Sequence, residues 1–150
     1  MKYLYNETKS RRNEILKYLY EHDNDFPIPL SHKTNLKQYL NKVICLGKSV
    51  ICVDQNQIVG LILYYDNNIQ ERKAFISLVS VDKNYRCKGI ATHLIREVLS
   101  LLKKQQFKIC EVPTHGSNEQ AIHLYCLLGF NETGNIREDG TIILAKNVEE

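Results

Sequence analysis

A β-rich run from Lys73 to Val81 leads through a short basic turn into an amphipathic run that ends near Lys104. That order of strand, turn and helix narrows what the chain can become. It predicts a sheet with a helix packed against it, and it sets the helix N-terminus beside the C-terminal end of the strand. The helical run repeats Ala91, Leu94, Ile95, Val98, Leu101 and Leu102 on one face. The turn between them, Arg86-Cys87-Lys88-Gly89-Ile90-Ala91, has the makings of an anion site. The unpaired N–H groups of a helix's first turn and the positive end of its dipole both favour negative charge. Gly89 lets the backbone come close to a guest. Arg86 and Lys88 add charge at the rim, so a diphosphate is the expected ligand.

The spacing Arg86-x-x-Gly89-x-Ala91 is neither the dinucleotide fingerprint nor the P-loop. It resembles the coenzyme A pyrophosphate loop of the GNAT superfamily of N-acetyltransferases, which reads Gln/Arg-x-x-Gly-x-Gly/Ala. Two further stretches carry the resemblance. Asn118-x-x-Ala121-x-x-Leu124-Tyr125-x-x-Leu128-Gly129-Phe130 is similar to the family's fourth-helix signature, and Ile58-Val59-Gly60-Leu61-Ile62 to its strand with a glycine after a hairpin. The three stretches stand in family order and cover a core from about Ser49 to Ala145.

The remaining pattern is compatible. Thr8 to Tyr20 reads as a helix with Asn6 or Thr8 as cap, and Asp23 to Ser31 as a loop stiffened by Pro27 and Pro29. Thr34 or Asn35 opens a second helix carrying Leu36, Tyr39, Leu40 and Val43. Ser49–Val53 and Ile58–Tyr65 read as a hairpin pair, with a turn at Asp66-Asn67-Asn68. Lys108–Val112 reads as a strand stopped by Pro113. Ser117 to Gln120 reads as a capping box, and Gly129 as the left-handed residue past the helix that follows. Short strands at Asn131–Glu132 and Thr141–Ala145 close the pattern, with Lys2 to Tyr5 a candidate first strand. The expected fold class is α/β, a mixed and mostly antiparallel central sheet flanked by helices. The resemblance implies a GNAT fold over residues 1–150 as a single domain, splayed between the fourth and fifth family strands.

The resemblance also implies roles. Val79, Ser80 and Val81 would pair with the pantetheine arm of acetyl-CoA. Arg86, Cys87, Lys88, Gly89, Ile90 and Ala91 would hold its pyrophosphate, and Asn118 would bond the pantetheine or only cap its helix. Tyr125 matches the family tyrosine that protonates the leaving thiolate, with a core tyrosine as the alternative. Glu111 and His115 are candidate bases for the amine, with water relays equally open. The segment from Asp25 to Leu40 is a candidate substrate wall, with Phe26, Ser31, His32 and Tyr39 as contacts. The implied reaction moves an acetyl group from acetyl-CoA, as co-substrate, directly to a primary amine, with an amino sugar or nucleotide amino sugar as the leading acceptor and a small amine, an amino acid or a protein N-terminus left open. The competing reading is an acyl-CoA-binding sensor that transfers nothing.

Composition bounds these readings. A chain of 150 residues with 43% apolar and 25% charged residues is of ordinary globular make-up. A net charge of +3, with no aromatic-basic face, argues against nucleic acid as a partner. Cys45, Cys52, Cys87, Cys110 and Cys126 are scattered and odd in number, which points to a reducing compartment, the cytoplasm. No apolar run suits a signal peptide or a membrane span. No metal-ligand spacing is present, so no metal is expected. The oligomeric state is open, a homodimer included.

Overall fold

The computed structural model describes residues 1–149. Antiparallel pairs build the first half of its sheet. Strand β1 (Lys2–Tyr5) pairs antiparallel with β2 (Gly47–Asp54), β2 with β3 (Gln57–Asn68), and β3 with β4 (Lys73–Val81). Gln55 and Asn56, between β2 and β3, lie at φ 50° and 61°. Two left-handed residues in a row form the tight turn that matches right-twisted strands.

Helix α1 (Arg12–His22) and helix α2 (Leu36–Leu46) fill the crossing from β1 to β2. The chain then leaves β4 through helix α3 (Ile90–Lys104) and returns parallel to it as β5 (Ile109–His115). Helix α4 (Glu119–Leu127) precedes the last hairpin, β6 (Asn131–Ile136) and β7 (Thr141–Asn147). The sheet order is β1-β2-β3-β4-β5-β7-β6.

Each face of the sheet has its own core. Ile15, Leu19, Leu40 and Val43 from α1 and α2 pack on Ile51, Leu61 and Leu63. Leu94, Ile95, Val98 and Leu102 from α3 pack on Val50, Ile62 and Ile76 with Tyr125 and Phe130.

Several local expectations shift. Helix α1 starts at Arg12, and neither Asn6 nor Thr8 caps it; the Thr8 hydroxyl is buried against Ser49 Oγ at 2.7 Å instead. Asn35 does cap α2, accepting from the Gln38 N–H at 3.1 Å. Strand β3 runs through Asp66–Asn68, where a turn was expected, and the chain reverses at Ile69–Arg72. Lys48 Nζ lies 2.6 Å from Asp66 Oδ2 and compensates that carboxylate within the strand. Asn118, not Ser117, caps α4, accepting from the Ala121 N–H at 3.2 Å. Ser117 Oγ is engaged 2.6 Å from His115 Nδ1.

Pro113 does not stop β5. It sits opposite Ile143 of β7, within the strand. The Gly116 N–H bonds to the Gly140 carbonyl. Successive residues of a strand turn their backbone groups to alternate sides, so Pro113 turns its nitrogen away from β7, toward β4. Proline has no N–H to give a ladder partner there. The parallel pairing of β4 with β5 is indeed confined to Lys73, Ala74 and Phe75 opposite Ile109, Cys110 and Glu111. A second device lies in β4. Its register with β3 jumps between Ile76 and Leu78, leaving Ser77 as the extra residue. Such a bulge bends its strand and switches the side chains between faces. Ile76 faces the α3 core and Leu78 the α1–α2 core.

Gly60 makes room for the start of α3. A Cβ on it would lie 2.8 Å from Ile90 Cγ2 and 3.4 Å from Cys52 Cβ, both in buried residues. Gly60→Val is therefore expected to cost about 1–3 kcal/mol by overpacking and to lower the melting temperature. An unchanged melting curve would mean that α3 slides without penalty.

Candidate active site

Past Phe75 and Glu111, β4 and β5 part. The Asp82 N–H bonds to the Val59 carbonyl of β3. Alternation then turns the backbone of Ser80 toward β3, and the backbones of Val79 and Val81 toward the gap. Ser80 is buried, and its hydroxyl lies 3.0 Å from Tyr18 Oη. Among Val79, Ser80 and Val81, the two valines are thus the ones that face the opening. The Val81 carbonyl already accepts a 3.3 Å bond from Arg86 Nε.

The basic turn closes one end of this track. Val81, Arg86, Cys87, Gly89, Ile90 and Ala91 line a hollow of about 210 Å³, with Leu124 of α4 on its far side. Gly89 lies at φ 80°, and no side chain caps α3. The first-turn N–H groups of α3 are therefore free to meet an anion. Arg86 also reaches across to Asp25, with Nη2 3.5 Å from Oδ2. Lys88 Nζ lies 5.4 Å from the centre of the Tyr85 ring. Cys87 is exposed at φ 61°, so the loop is shaped by its backbone. Positive donors, free amides and a concave surface fit a pyrophosphate.

The other end of the track is a cleft of about 140 Å³. Val79, Asn118, Ala121 and Tyr125 line one wall, and Pro113, Thr114 and His115 another. Tyr125 is 6% exposed and packs edge-on against Phe130 at 5.6 Å. Burial, with a smaller contribution from Cys110, pushes its phenol pKa well above the ordinary value, so the hydroxyl keeps its proton. Among the described residues it has no hydrogen-bond partner, yet no enclosed polar side-chain atom lacks one. The hydroxyl therefore opens onto the cleft. Asn118 both caps α4 and lines this wall.

The two candidate bases are placed differently. Glu111 stands at the root of the gap, opposite Phe75, with an oxygen 3.3 Å from Lys73 Nζ, and it is not part of the cleft wall. His115 does line the cleft, but both of its ring nitrogens are engaged. Nδ1 accepts from the Ser117 N–H at 3.2 Å, and Nε2 donates to the Asp139 carbonyl at 2.9 Å. Nδ1 also lies 2.6 Å from Ser117 Oγ, which can donate to it or accept from it.

The segment between α1 and α2 roofs the cleft. Phe26, Pro27, Ile28 and Leu30 line it. Ser31 instead bonds Asp23, and His32 stands outside the cleft. Tyr39 Oη lies 2.6 Å from Ser77 Oγ, the bulge residue. Thr114, Thr141 and Lys33 were not singled out by sequence reasoning, because no motif marks them. They reach the site only through folding.

A mixed sheet that parts at its parallel crossover, with an anion loop on the crossover helix, is the architecture that the motif resemblance implies. The chain belongs to the acetyltransferase (GNAT) family, whose model matches residues 13–130. N-acetyltransferase 8B of Homo sapiens is 33% identical over 76 residues, 51% of this chain and 34% of that protein. The chain thus matches about a third of that relative's length. Among solved structures, aminoglycoside 6'-acetyltransferase type Ii superposes with a TM-score of 0.81 at 14% identity, covering 100% of this chain and 99% of that one. The PaiA N-acetyltransferase of Thermoplasma acidophilum in complex with coenzyme A superposes at 0.71 and 13% identity, covering 98% and 99%.

Asp82 ties α1 to the anion loop. It accepts from the Asn84 N–H at 2.9 Å and lies 3.1 Å from His22 Nε2. The Asn84 N–H first, then His22, hold its carboxyl below the usual range. A depressed carboxyl pKa stabilises the fold above the unfolded value of about 4 and loses that effect as pH falls through the folded value. Asp82→Asn should therefore lower the melting temperature at neutral pH, and the gap to wild type should close on acidification. A gap that stays constant with pH would show that the charge is immaterial.

Proposed function

We propose that the chain transfers an acetyl group from acetyl-CoA directly to a primary amine. The observation that carries this reading is the parted β4–β5 edge, which joins an anion-binding loop to a protonated, buried tyrosine. The loop Arg86–Ala91 would hold the pyrophosphate of acetyl-CoA. Val79 and Val81 would pair with the amides of its pantetheine arm as an added strand does. The co-substrate supplies an activated thioester.

The chain's own groups do the rest. A backbone N–H at the gap would polarise the thioester carbonyl as charge develops on its oxygen. The amine nitrogen forms a C–N bond as the C–S bond breaks, and the electron pair leaves with sulfur. Tyr125 Oη gives its proton to that sulfur, and the amine sheds its extra proton to solvent or a base. Glu111 is paired with Lys73 and stands outside the cleft wall, which leaves His115, at the cleft, or a water relay as the base. We take an amino sugar or nucleotide amino sugar as the acceptor class to try first. All five cysteines are free, which suits a reducing compartment and a cytoplasmic location. No helix among the described residues is long and apolar enough to cross a membrane.

Two measurements test the reading. Acetyl-CoA at saturation should raise the melting temperature of the protein, and a flat response would remove both the enzyme and the sensor. Release of CoA thiol across an amine panel should fall roughly a hundred-fold or more in Tyr125→Phe, with the acetyl-CoA-induced shift retained. A variant that turns over as wild type does would favour a site where Tyr125 only packs.

A further inference from the structure

A second pocket adjoins the cleft, lined by residues of α2, β3 and β4. This pocket of about 520 Å³ shares Leu30, Lys33, Ser77 and Pro113 with the cleft at Tyr125. The two pockets therefore share a wall, and a group seated in the second lies beside the cleft. Lys33, Lys42 and Arg137 line this second pocket, and no Asp or Glu among the described residues lines it. Lys33 Nζ lies 3.6 Å from Asp139 Oδ2 in an open ion pair, each side chain about 40% exposed. Lys42 Nζ lies 5.7 Å from the centre of the Tyr65 ring. Lys42 and Arg137 pair with no carboxylate among the described residues. Three elements distant in sequence thus deliver cations to one pocket, two of them without a counter-charge.

We infer that the acceptor is an amine bearing an anionic group, a phosphate or a carboxylate, which Lys42 and Arg137 hold with Lys33 at the cleft. This rests on the acetyl-transfer reading above and goes beyond it by naming the acceptor's charge. A guanidinium fork and an ammonium suit either oxyanion. An acceptor of several ammonium groups is repelled by this wall.

The test uses the full chain saturated with CoA and calorimetric titration of matched pairs. Glucosamine phosphate is compared with glucosamine, glutamate with glutamine, and spermidine serves as the polycation. The anionic member of at least one pair should bind about tenfold tighter or more, as charge-assisted hydrogen bonds imply. That preference should weaken with added salt and shrink toward parity in Lys42→Gln/Arg137→Gln, whose melting curve checks its folding. Preference in the sugar pair assigns phosphate, and preference in the amino-acid pair assigns carboxylate. Equal affinities within both pairs overturn the inference, as does tighter binding of spermidine, or no binding of either anionic member. The acetyl-CoA-induced melting shift, read on the same preparation, separates the outcomes. If it persists while the charge preference is absent, only this inference falls; if it is lost, the acetyl-transfer reading falls as well.

Discussion

The structure depends on a place where a sheet declines to close. Strands β4 and β5 begin as ordinary parallel neighbours and pair at Lys73–Phe75 and Ile109–Glu111. Pro113 then presents a nitrogen with no hydrogen toward β4, and the bulge at Ser77 bends β4 away. Either device alone weakens a ladder; together they end it. The gap leaves backbone groups of Val79 and Val81 unpaired by sheet, which a folded protein tolerates only where water or a ligand reaches them. A defect in the ladder thus becomes the edge to which we assign the pantetheine arm.

Other features arrange themselves around that edge. The crossover from β4 to β5 has to start at the top of the gap, so the N-terminus of α3 and its left-handed Gly89 lie at one end of it. Helix α4 packs on the same face and brings Tyr125 to the other end, with Asn118 capping it at the wall. The segment between α1 and α2 spans the opening. It is fastened by Asp25 to Arg86 near the anion loop and by Lys33 to Asp139 near the β6–β7 turn. Both ion pairs are partly exposed, so each is a weak fastening that a ligand can exchange for its own charges.

Much of this was legible in the chain. The strand–turn–helix at Arg86–Ala91 shows because its pattern is local: a basic turn with Gly89 at a helix start is written in a few consecutive residues. The α4 signature shows for the same reason: of the two caps it offered, Asn118 is the one used, and Ser117 is engaged with His115. Pro113 was read as a stop, since a proline normally ends a central strand; that it sits inside β5 follows from the missing neighbour, which is a property of the sheet. The basic pocket was invisible. Lys33, Lys42 and Arg137 belong to a loop, a helix and a hairpin, and only the crossing of these elements at the split brings them together. The engagement of His115 Nε2 is likewise tertiary, since Asp139 lies far along the chain.

The most direct test of the account is backbone hydrogen exchange at the parted edge, followed residue by residue with and without CoA. The account predicts that the amides of Val79 and Val81 gain strong protection when CoA is bound, while that of Ser80, already turned to β3, changes little. Unchanged exchange at Val79 and Val81 under saturating CoA would contradict it, because the parted strands would then not be where the ligand is held.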